Sequence, residues 1–344
     1  MQYKTSIFRK NFLLAALLVL VWLTGCVQEE FESKPPQTGN GVQFTLTVPD
    51  IEMPSVSSRT MTGTGAAKKE DEIKTVDILV FDTSKTPAVF LEWVSGTGVT
   101  QDFANNNSTV NFSAVLSPTT ASTCIVVVAN RELDGIASEF RKGETTKVEA
   151  MEDLLHTHIG KWTADGSSAD GYTRIPMYGE KEIAKIAPSM NPITGINMKR
   201  MLARIDIRNS ASNFMVEEVY LANYNTTGYI APAWDADGKV GDPASDVLNL
   251  PADGGKKTDE GNAILYSVGG NTSYNGEIYT FEAPAAVDAG GVGQDGALSR
   301  KEAVCLIVKG KIGSGKSTFY RVDFTKTGET GEEVEYLSLK RNYK

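Results

Sequence analysis

Residues 310–317 read Gly-Lys-Ile-Gly-Ser-Gly-Lys-Ser and match the phosphate-binding loop of nucleotide-binding proteins. That loop must follow a strand and open a helix, because the first amides of the helix bind the phosphates. Residues 303–308 are a predicted strand, but residues 318–324 alternate with period two, which is typical of a second strand. The pattern therefore predicts a β-hairpin with Lys316 as a solvated charge, and no nucleotide site.

His156 and His158 are the only histidines in the chain. A His-x-His pair binds a metal ion together with further ligands, and no third ligand stands at a familiar spacing. The apolar side chains of residues 148–156 have helical spacing, so we interpret the pair as the end of a helix. The alternative is a metal site.

The sequence Asp235-Ala236-Asp237-Gly238 resembles the start of a calcium-binding loop. The full pattern needs a third oxygen ligand before the glycine and a glutamate at the twelfth position, where Asp246 stands. A turn is therefore favoured. Since the sequence contains no nucleophile elbow, and no carboxylate pair can be singled out, we predict no enzyme activity, no catalytic residue, no metal and no cofactor.

Acidic side chains outnumber basic ones, and the formal net charge is −9. Nucleic-acid binding needs a basic face that neutralises phosphates, so this balance argues against nucleic acid as a partner. It also argues against adhesion to anionic lipid through charge alone.

The N-terminus has the parts of a bacterial export signal. A basic region contains Lys4, Arg9 and Lys10, and residues 12–23 form an uncharged apolar run that is too short to span a bilayer. We therefore predict a signal peptide over residues 1–25.

The apolar run ends in Leu-Thr-Gly-Cys, which resembles the lipobox of bacterial lipoproteins. The resemblance implies cleavage between Gly25 and Cys26, with lipid on the Cys26 sulfur and further acylation such as palmitate, since stable anchoring needs more than one chain. Residues 26–40 have little to bury and are predicted to be a tether, in which Glu29-Glu30 resembles the surface-export signal of Bacteroidetes lipoproteins. An ordinary secretion signal with a chance cysteine is the alternative.

The rest of the chain consists mostly of short β-branched and aromatic runs separated by turn residues. This pattern predicts a mainly β fold of two β-sandwich domains with few short helices, at residues 41–195 and 196–344. Arg204, Asp206 and Arg208 are expected to face water. The predicted strands cover residues 42–48, 73–81, 89–94, 109–115, 124–128, 202–207, 216–224, 264–268, 277–281, 303–308, 318–324 and 334–339.

Cys124 and Cys305 each lie inside an apolar, strand-like run. We interpret them as two buried thiols that act as small apolar side chains. A disulfide between them is the alternative in an exported protein.

Several segments, taken in order along the chain, resemble the fimbrillins of the Bacteroidales, the subunits of type V pili. Residues 72–82 resemble their first core strand, and Ile-Pro-Met-Tyr-Gly-Glu at 175–180 resembles their Pro-Met-x-Gly-Glu segment. The further matching segments are residues 125–130, 198–206, 320–324 and 339–344. The resemblance implies transthyretin-like sandwich domains and a structural subunit of cell-surface fimbriae that supports adhesion.

The family resemblance also implies a maturation pathway. The precursor is lipid-anchored in the outer membrane, an arginine-specific protease removes its first strand, and a strand from the next subunit fills the groove by donor-strand exchange. The implied partners are other fimbrial subunits, in a homo- or hetero-polymer, and surface receptors of host or bacterial cells. The alternative function is that of an uncleaved surface lipoprotein that binds a glycan or a protein.

Residues 42–48 fit the removable strand, because Val42, Phe44, Leu46 and Val48 alternate with polar residues. Fimbrillins usually continue past the region that matches residues 339–344 into a further strand and a donor segment. We therefore expect a C-terminal domain without the final strands, as in a tip-type subunit or a truncated gene product.

Arg59 is the only arginine between Gly25 and Arg131. It lies in a stretch over residues 54–65 that is rich in Ser, Thr and Gly. The maturation cut is therefore expected between Arg59 and Thr60. An ordinary surface charge is the alternative interpretation of Arg59.

Overall fold

Strands dominate the structure, as the composition predicts. The structure is a computed structural model, and it describes residues 41–49, 70–103, 108–162, 174–241, 247–252, 262–267, 273–287, 298–327 and 333–343. Two short helices accompany the strands in these ranges, so the prediction of a mainly β fold is confirmed. Residues 40–344 form one unit by their contacts.

The first half of the chain builds two sheets that face each other. Its strands are β1 (Gly41–Val48), β2 (Val76–Asp82), β3 (Val89–Ser95), β4 (Thr97–Asp102), β5 (Ser108–Val115), β6 (Thr123–Ala129), β7 (Leu155–Thr157), β8 (Met177–Ile183), β9 (Ile193–Asn197) and β10 (Lys199–Arg200). One sheet has the order β4-β5-β1-β9, and the other has the order β10-β8-β6-β2-β3. Apolar side chains of β1 and β5 share a core with those of β2 and β6, which makes a β-sandwich.

Strand β6 lies in the middle of the five-stranded sheet, and all its residues are buried. Ile125 and Val127 belong to the core between the two sheets, whereas Val126 and Val128 belong to a second core on the outer face. A strand that is buried on both faces reads as a continuous apolar run, as this one does. The prediction of a strand over residues 124–128 is confirmed.

Two helices, α1 (Asp134–Ala137) and α2 (Lys147–Asp153), contribute to the core on that outer face. Helix α2 begins with a capping box, in which the Thr146 side chain accepts from the Glu149 amide and the Glu149 carboxylate accepts from the Thr146 amide. The predicted helix over residues 148–156 is wrong at its C-terminal end. His156 lies in β7, because that segment pairs with a strand of the second half instead of continuing the helix.

The second half contains a larger sheet and several short ribbons. Its strands are β11 (Ala203–Arg208), β12 (Phe214–Ala222), β13 (Thr227–Tyr229), β14 (Ile264–Ser267), β15 (Ser273–Thr280), β16 (Ala286–Val287), β17 (Leu298–Ser299), β18 (Cys305–Ile312), β19 (Thr318–Val322), β20 (Thr325–Thr327) and β21 (Glu333–Tyr336). The larger sheet has the order β14-β12-β18-β19 and shares a core with the β11-β15 ribbon. The remaining pairs are β13-β7, β16-β17 and β20-β21.

Strand β9 runs across the predicted domain boundary between residues 195 and 196. Ile193 and Ile196 both lie in the core of the first sandwich, and β10 pairs with β8 of the same sandwich. The division of the chain into domains at residues 41–195 and 196–344 stays a prediction.

Candidate functional site

Strand β1 alternates buried and outward-facing side chains along its whole length. Val42, Phe44, Leu46 and Val48 are at most 3% exposed, and all four belong to the sandwich core. The structure thus brings together the four residues of the predicted removable strand, since period two sends every second side chain of a strand to the same face.

Strand β1 lies in the interior of its sheet. It pairs antiparallel with β5 from Gly41, opposite Val115, to Val48, opposite Ser108. On its other side it pairs parallel with β9 between Phe44 and Thr47. Removal of β1 would therefore leave a gap with an unpaired strand edge on each side, so that a replacing strand could pair with both edges.

The contacts of β1 differ on its two faces. On the core face, the rings of Phe44 and Phe112 stack with centroids 4.8 Å apart and planes 6° from parallel. On the outer face, the Thr45 hydroxyl donates to Asn111 Oδ1 over 2.8 Å. The core face therefore carries the apolar burial, and the outer face carries exchangeable polar contacts.

Residues 50–69 lie outside the described residues, but Pro49 and Glu70, which flank them, are described. The backbone carbonyls of Pro49 and Glu70 both accept hydrogen bonds from the Arg200 guanidinium, over 3.0 and 3.4 Å. The two ends of the segment that contains the predicted cleavage site therefore lie close together.

A buried ionic cluster adjoins this point. Arg204 Nη1 donates to Glu70 Oε1 over 3.0 Å, and the Tyr279 hydroxyl donates to Glu70 Oε2 over 2.7 Å. Burial raises the pKa of Glu70, and Arg204 and the Tyr279 hydrogen bond lower it in part. Arg204 is 6% exposed, so the expectation that it faces water is wrong. Its partner Glu70 is 134 positions away, and no local pattern reveals such a pair.

Sequence reasoning missed the role of Arg200 and Arg204. The available signal was the segment Met-Lys-Arg-Met-Leu-Ala-Arg at residues 198–204, in which two arginines stand among apolar residues. A buried arginine needs paired acceptors, so such a segment indicates buried ion pairs elsewhere in the fold.

The glycine-rich segment at residues 310–317 forms a hairpin, as predicted. Strands β18 and β19 pair antiparallel, with Gly310 opposite Thr318, and Lys316 is exposed in the connection. Gly310 lies within β18, where an added Cβ would meet Phe214 Cζ at 2.5 Å. Its small size therefore serves close packing against β12, and no helix follows to bind phosphate.

His156 and His158 both lie against the indole of Trp162, with ring centroids 5.5 and 4.4 Å from it. Burial lowers the pKa of His156 to about 4, and the charges of Arg131 and His158 act in the same direction. The pair lies in and just after β7, so the interpretation as a helix end is wrong.

The Asp235 segment forms a turn, as predicted. Asp235 Oδ1 accepts hydrogen bonds from the backbone amides of Asp237 and Lys239, over 3.0 and 2.9 Å. Gly238 has a φ of +77°, which an L side chain rarely adopts. The carboxylate that would open a calcium loop is thus occupied by the turn itself.

Cys124 and Cys305 are both free and buried, which confirms the interpretation as thiols. Burial raises the pKa of Cys124 to about 12, so the thiol stays protonated and unreactive at neutral pH.

Gly25, Cys26, Arg59 and Thr60 lie outside the described residues, so lipidation and cleavage at these positions stay predictions. Within the described ranges, no three His, Cys, Asp or Glu side chains come together as a metal site. No helix in that part of the chain is long and apolar enough to cross a membrane.

Residues 42–180 match the family model of the major fimbrial subunit protein, FimA. Over these residues, which are about two fifths of its length, the chain is similar to the fimbrillin family. The match begins at Val42, the first core residue of β1, and ends at Glu180 in β8. This similarity supports a pilus or adhesin role at the cell surface. No curated protein matches the sequence significantly.

Three solved structures are similar to this protein. A fimbrial assembly protein from Parabacteroides distasonis is 14% identical, with a TM-score of 0.41 and coverage of 82% of this chain and 85% of that chain. A candidate cell adhesion protein from the same organism is 15% identical, with a TM-score of 0.46 and coverage of 88% and 85%. A candidate adhesin from Bacteroides ovatus is 12% identical, with a TM-score of 0.33 and coverage of 85% and 83%. All three TM-scores are below 0.5, so the similarity to fimbrillins rests on the sequence match of residues 42–180.

Proposed function

We propose that this protein is a fimbrillin, a structural subunit of fimbriae that polymerises by exchange of β1 for a strand of another subunit. The observation that carries the proposal is the position of β1. It is an interior core strand at the start of the described chain, and residues 50–69 connect it to the body. One cut in that connection would free the whole of β1 and leave every other described strand continuous.

Apolar burial supplies the driving force for the exchange. Four side chains of β1 are buried, and at about 1.5 to 3 kcal/mol each they contribute roughly 6 to 12 kcal/mol. A vacated groove exposes the facing apolar surface and two unpaired strand edges, one on β5 and one on β9. A donated strand restores both the burial and the hydrogen bonds, as in donor-strand complementation.

The covalent connection keeps the precursor monomeric. While β1 is attached, its effective concentration at the groove exceeds that of any strand in solution. We propose that cleavage between Arg59 and Thr60 removes this advantage. A strand of a neighbouring subunit can then compete with β1 for the groove. The donated strand and the groove that accepts it are different surfaces of a subunit. Each added subunit therefore brings a new groove, and the head-to-tail contacts extend into a filament.

Cleavage of the purified chain by an arginine-specific protease tests the proposal. In a mixture with fimbrial subunits that carry a donor strand, wild-type protein is expected to yield Thr60 as a new N-terminus and a ladder of heat-sensitive oligomers in an unboiled gel. The Arg59→Lys variant keeps the positive charge but resists this protease, so it should stay monomeric. The Arg131→Lys variant is the matched control and should assemble like the wild type.

Two outcomes would contradict the proposal. Assembly of the Arg59→Lys variant after protease treatment would show that the cut lies elsewhere. A monomer that retains the β1 fragment after cleavage at Arg59 would favour the alternative function, a surface lipoprotein that binds a glycan or a protein.

We also propose that the precursor is anchored in the outer membrane through lipid on Cys26, after cleavage of the signal peptide behind Gly25. The sequence support is the lipobox-like Leu-Thr-Gly-Cys and the apolar run before it. Mass spectrometry of the membrane-bound precursor should find acyl chains on Cys26. A Cys26→Ser variant that fractionates with the membrane like the wild type would contradict the anchor.

A further inference from the structure

Arg200 is 1% exposed, and its guanidinium binds acceptors from three separate parts of the chain. Its Nη1 donates to the Pro49 carbonyl over 3.0 Å and to Asn342 Oδ1 over 2.8 Å. Its Nε donates to the Glu70 carbonyl over 3.4 Å, and its Nη2 pairs with the Asp71 carboxylate. All three nitrogens of the guanidinium are therefore engaged in the precursor.

The proposed cut divides these acceptors into two groups. Pro49 lies on the β1 side of Arg59 and would leave with the strand, whereas Glu70, Asp71 and Asn342 would stay with the body. Departure of β1 would therefore remove one of the two acceptors of Nη1. A charged donor that loses its partner in a buried site is costly, so the vacated groove favours a ligand that supplies a new acceptor.

The lost acceptor has a defined place relative to the core. Val48 is the last core residue of β1, and Pro49 follows it directly. Proline has no amide hydrogen, so its backbone can offer only a carbonyl, which matches a guanidinium that has donors alone. Any residue type at this place in another strand would offer the same carbonyl. The contact therefore selects strand length and position, and not side-chain identity.

We propose that Arg200 recognises the end of the strand that replaces β1. Its Nη1 binds the first backbone carbonyl beyond the last core residue of the incoming strand, at the place of Pro49. The inference rests on the proposed strand exchange. A strand that ends at its last core residue leaves Nη1 without this acceptor. A strand that is shifted along the groove by two residues, about 7 Å, also does so.

Dissociation of synthetic strands from the cleaved protein tests this role. Three amidated peptides in the direction of β1 serve as probes: residues 41–48, residues 41–49, and residues 41–49 with sulfur in place of the Pro49 carbonyl oxygen. We expect the 41–49 peptide to dissociate about 10-fold or more slowly than 41–48, since a hydrogen bond to a charged group is involved. The thiocarbonyl peptide should lose most of this gain, because sulfur is a weaker acceptor.

Protein variants supply the second half of the test. In Arg200→Met, the 41–48 and 41–49 peptides should dissociate at the same rate, whereas the exposed control Arg208→Met should keep the wild-type ratio. If Arg200→Met does not fold, the dissociation rates of the 41–49 peptide and its thiocarbonyl analogue from wild-type protein still test the role of Arg200. Equal rates for these two peptides would overturn the role of Arg200 and leave strand exchange intact. Failure of every peptide to bind would overturn strand exchange itself, and this inference with it.

Discussion

At the scale of single residues, burial decides which ionisable groups respond to pH. His156 is an example, because its imidazole is largely covered where it lies against Trp162. Burial penalises the charged imidazolium, so the folded protein holds this proton more weakly than the unfolded chain does.

The low pKa of His156 predicts loss of stability in mild acid. The folded value of about 4 lies below the unfolded 6.5, so the unfolded chain binds more protons between these values. The contribution of His156 to the free energy of unfolding is fully present above pH 6.5 and is lost as the pH falls toward 4. Between pH 7 and pH 5 we expect a loss of about 2 kcal/mol in the free energy of unfolding, measured with urea.

The variant His156→Gln should remove most of this difference between pH 7 and pH 5, and His158→Gln, as the control, should retain it. An unchanged pH dependence in His156→Gln would show that other groups cause the loss.

The close packing around Gly179 leads to a second prediction at the scale of single residues. A Cβ at Gly179 would meet Met198 Sδ at 2.7 Å and the Asn197 backbone oxygen at 3.0 Å. We expect Gly179→Ala to lower the free energy of unfolding by about 1 to 3 kcal/mol, because the backbone of the facing segment must move. Gly135→Ala is the control, since nothing lies within 4 Å of its added Cβ. Equal effects of the two substitutions in urea unfolding would contradict this close approach.

At the scale of elements, β1 combines two properties that a strand exchange would need. It lies in the interior of a sheet and its core side chains are buried, as in a permanent strand of a fold. It also stands at the start of the described chain, so it is the strand whose loss disrupts the fewest chain connections. A removable strand needs both properties, because burial gives the exchange its driving force and the terminal position makes release simple.

The core face of β1 should therefore control stability, and its outer face should not. We expect Phe44→Ala to lower the free energy of unfolding by about 3 to 5 kcal/mol, because it removes the ring stacked on Phe112. Gln43→Ala, on the outer face of the same strand, should change it by less than about 0.5 kcal/mol. Similar losses for the two variants in urea unfolding would mean that β1 does not contribute through its core face.

At the scale of the whole molecule, the two halves of the chain are joined by buried contacts. The core on the outer face of the five-stranded sheet contains Leu79 and Met151 from the first half, and Ile230 and Phe281 from the second. Arg200 adds a polar link, since it binds both Asp71 and Asn342. We expect such contacts to couple the unfolding of the halves.

Fragments of the chain test where the first sandwich ends. Ile196 and Met198 are fully buried in its core, so a fragment of residues 41–195 lacks them. At about 1.5 to 3 kcal/mol per side chain, we expect it to be roughly 3 to 6 kcal/mol less stable than a fragment of residues 41–202. Thermal unfolding of both fragments measures the difference. Equal stability would support the boundary at residue 196.

Local periodicity in the sequence determined the features that depend only on neighbouring residues. The alternation of Val42, Phe44, Leu46 and Val48 predicts a strand with one apolar face, because period two is a property of the strand itself. The same period in residues 318–324 predicts a hairpin around Lys316 and not a nucleotide-binding loop, because a helix would have to follow that loop. Free thiols at Cys124 and Cys305 follow in the same way, since each lies within a buried apolar run.

Only the tertiary structure decided which distant groups meet. The position of β1 between β5 and β9 depends on strands about 70 and 150 residues away in the chain. The burial of Arg204 depends on Glu70, and the end of helix α2 depends on the pairing of β7 with β13. Long-range pairing and burial overrule local propensity because their free energies exceed the small preferences that a single residue has for one backbone conformation.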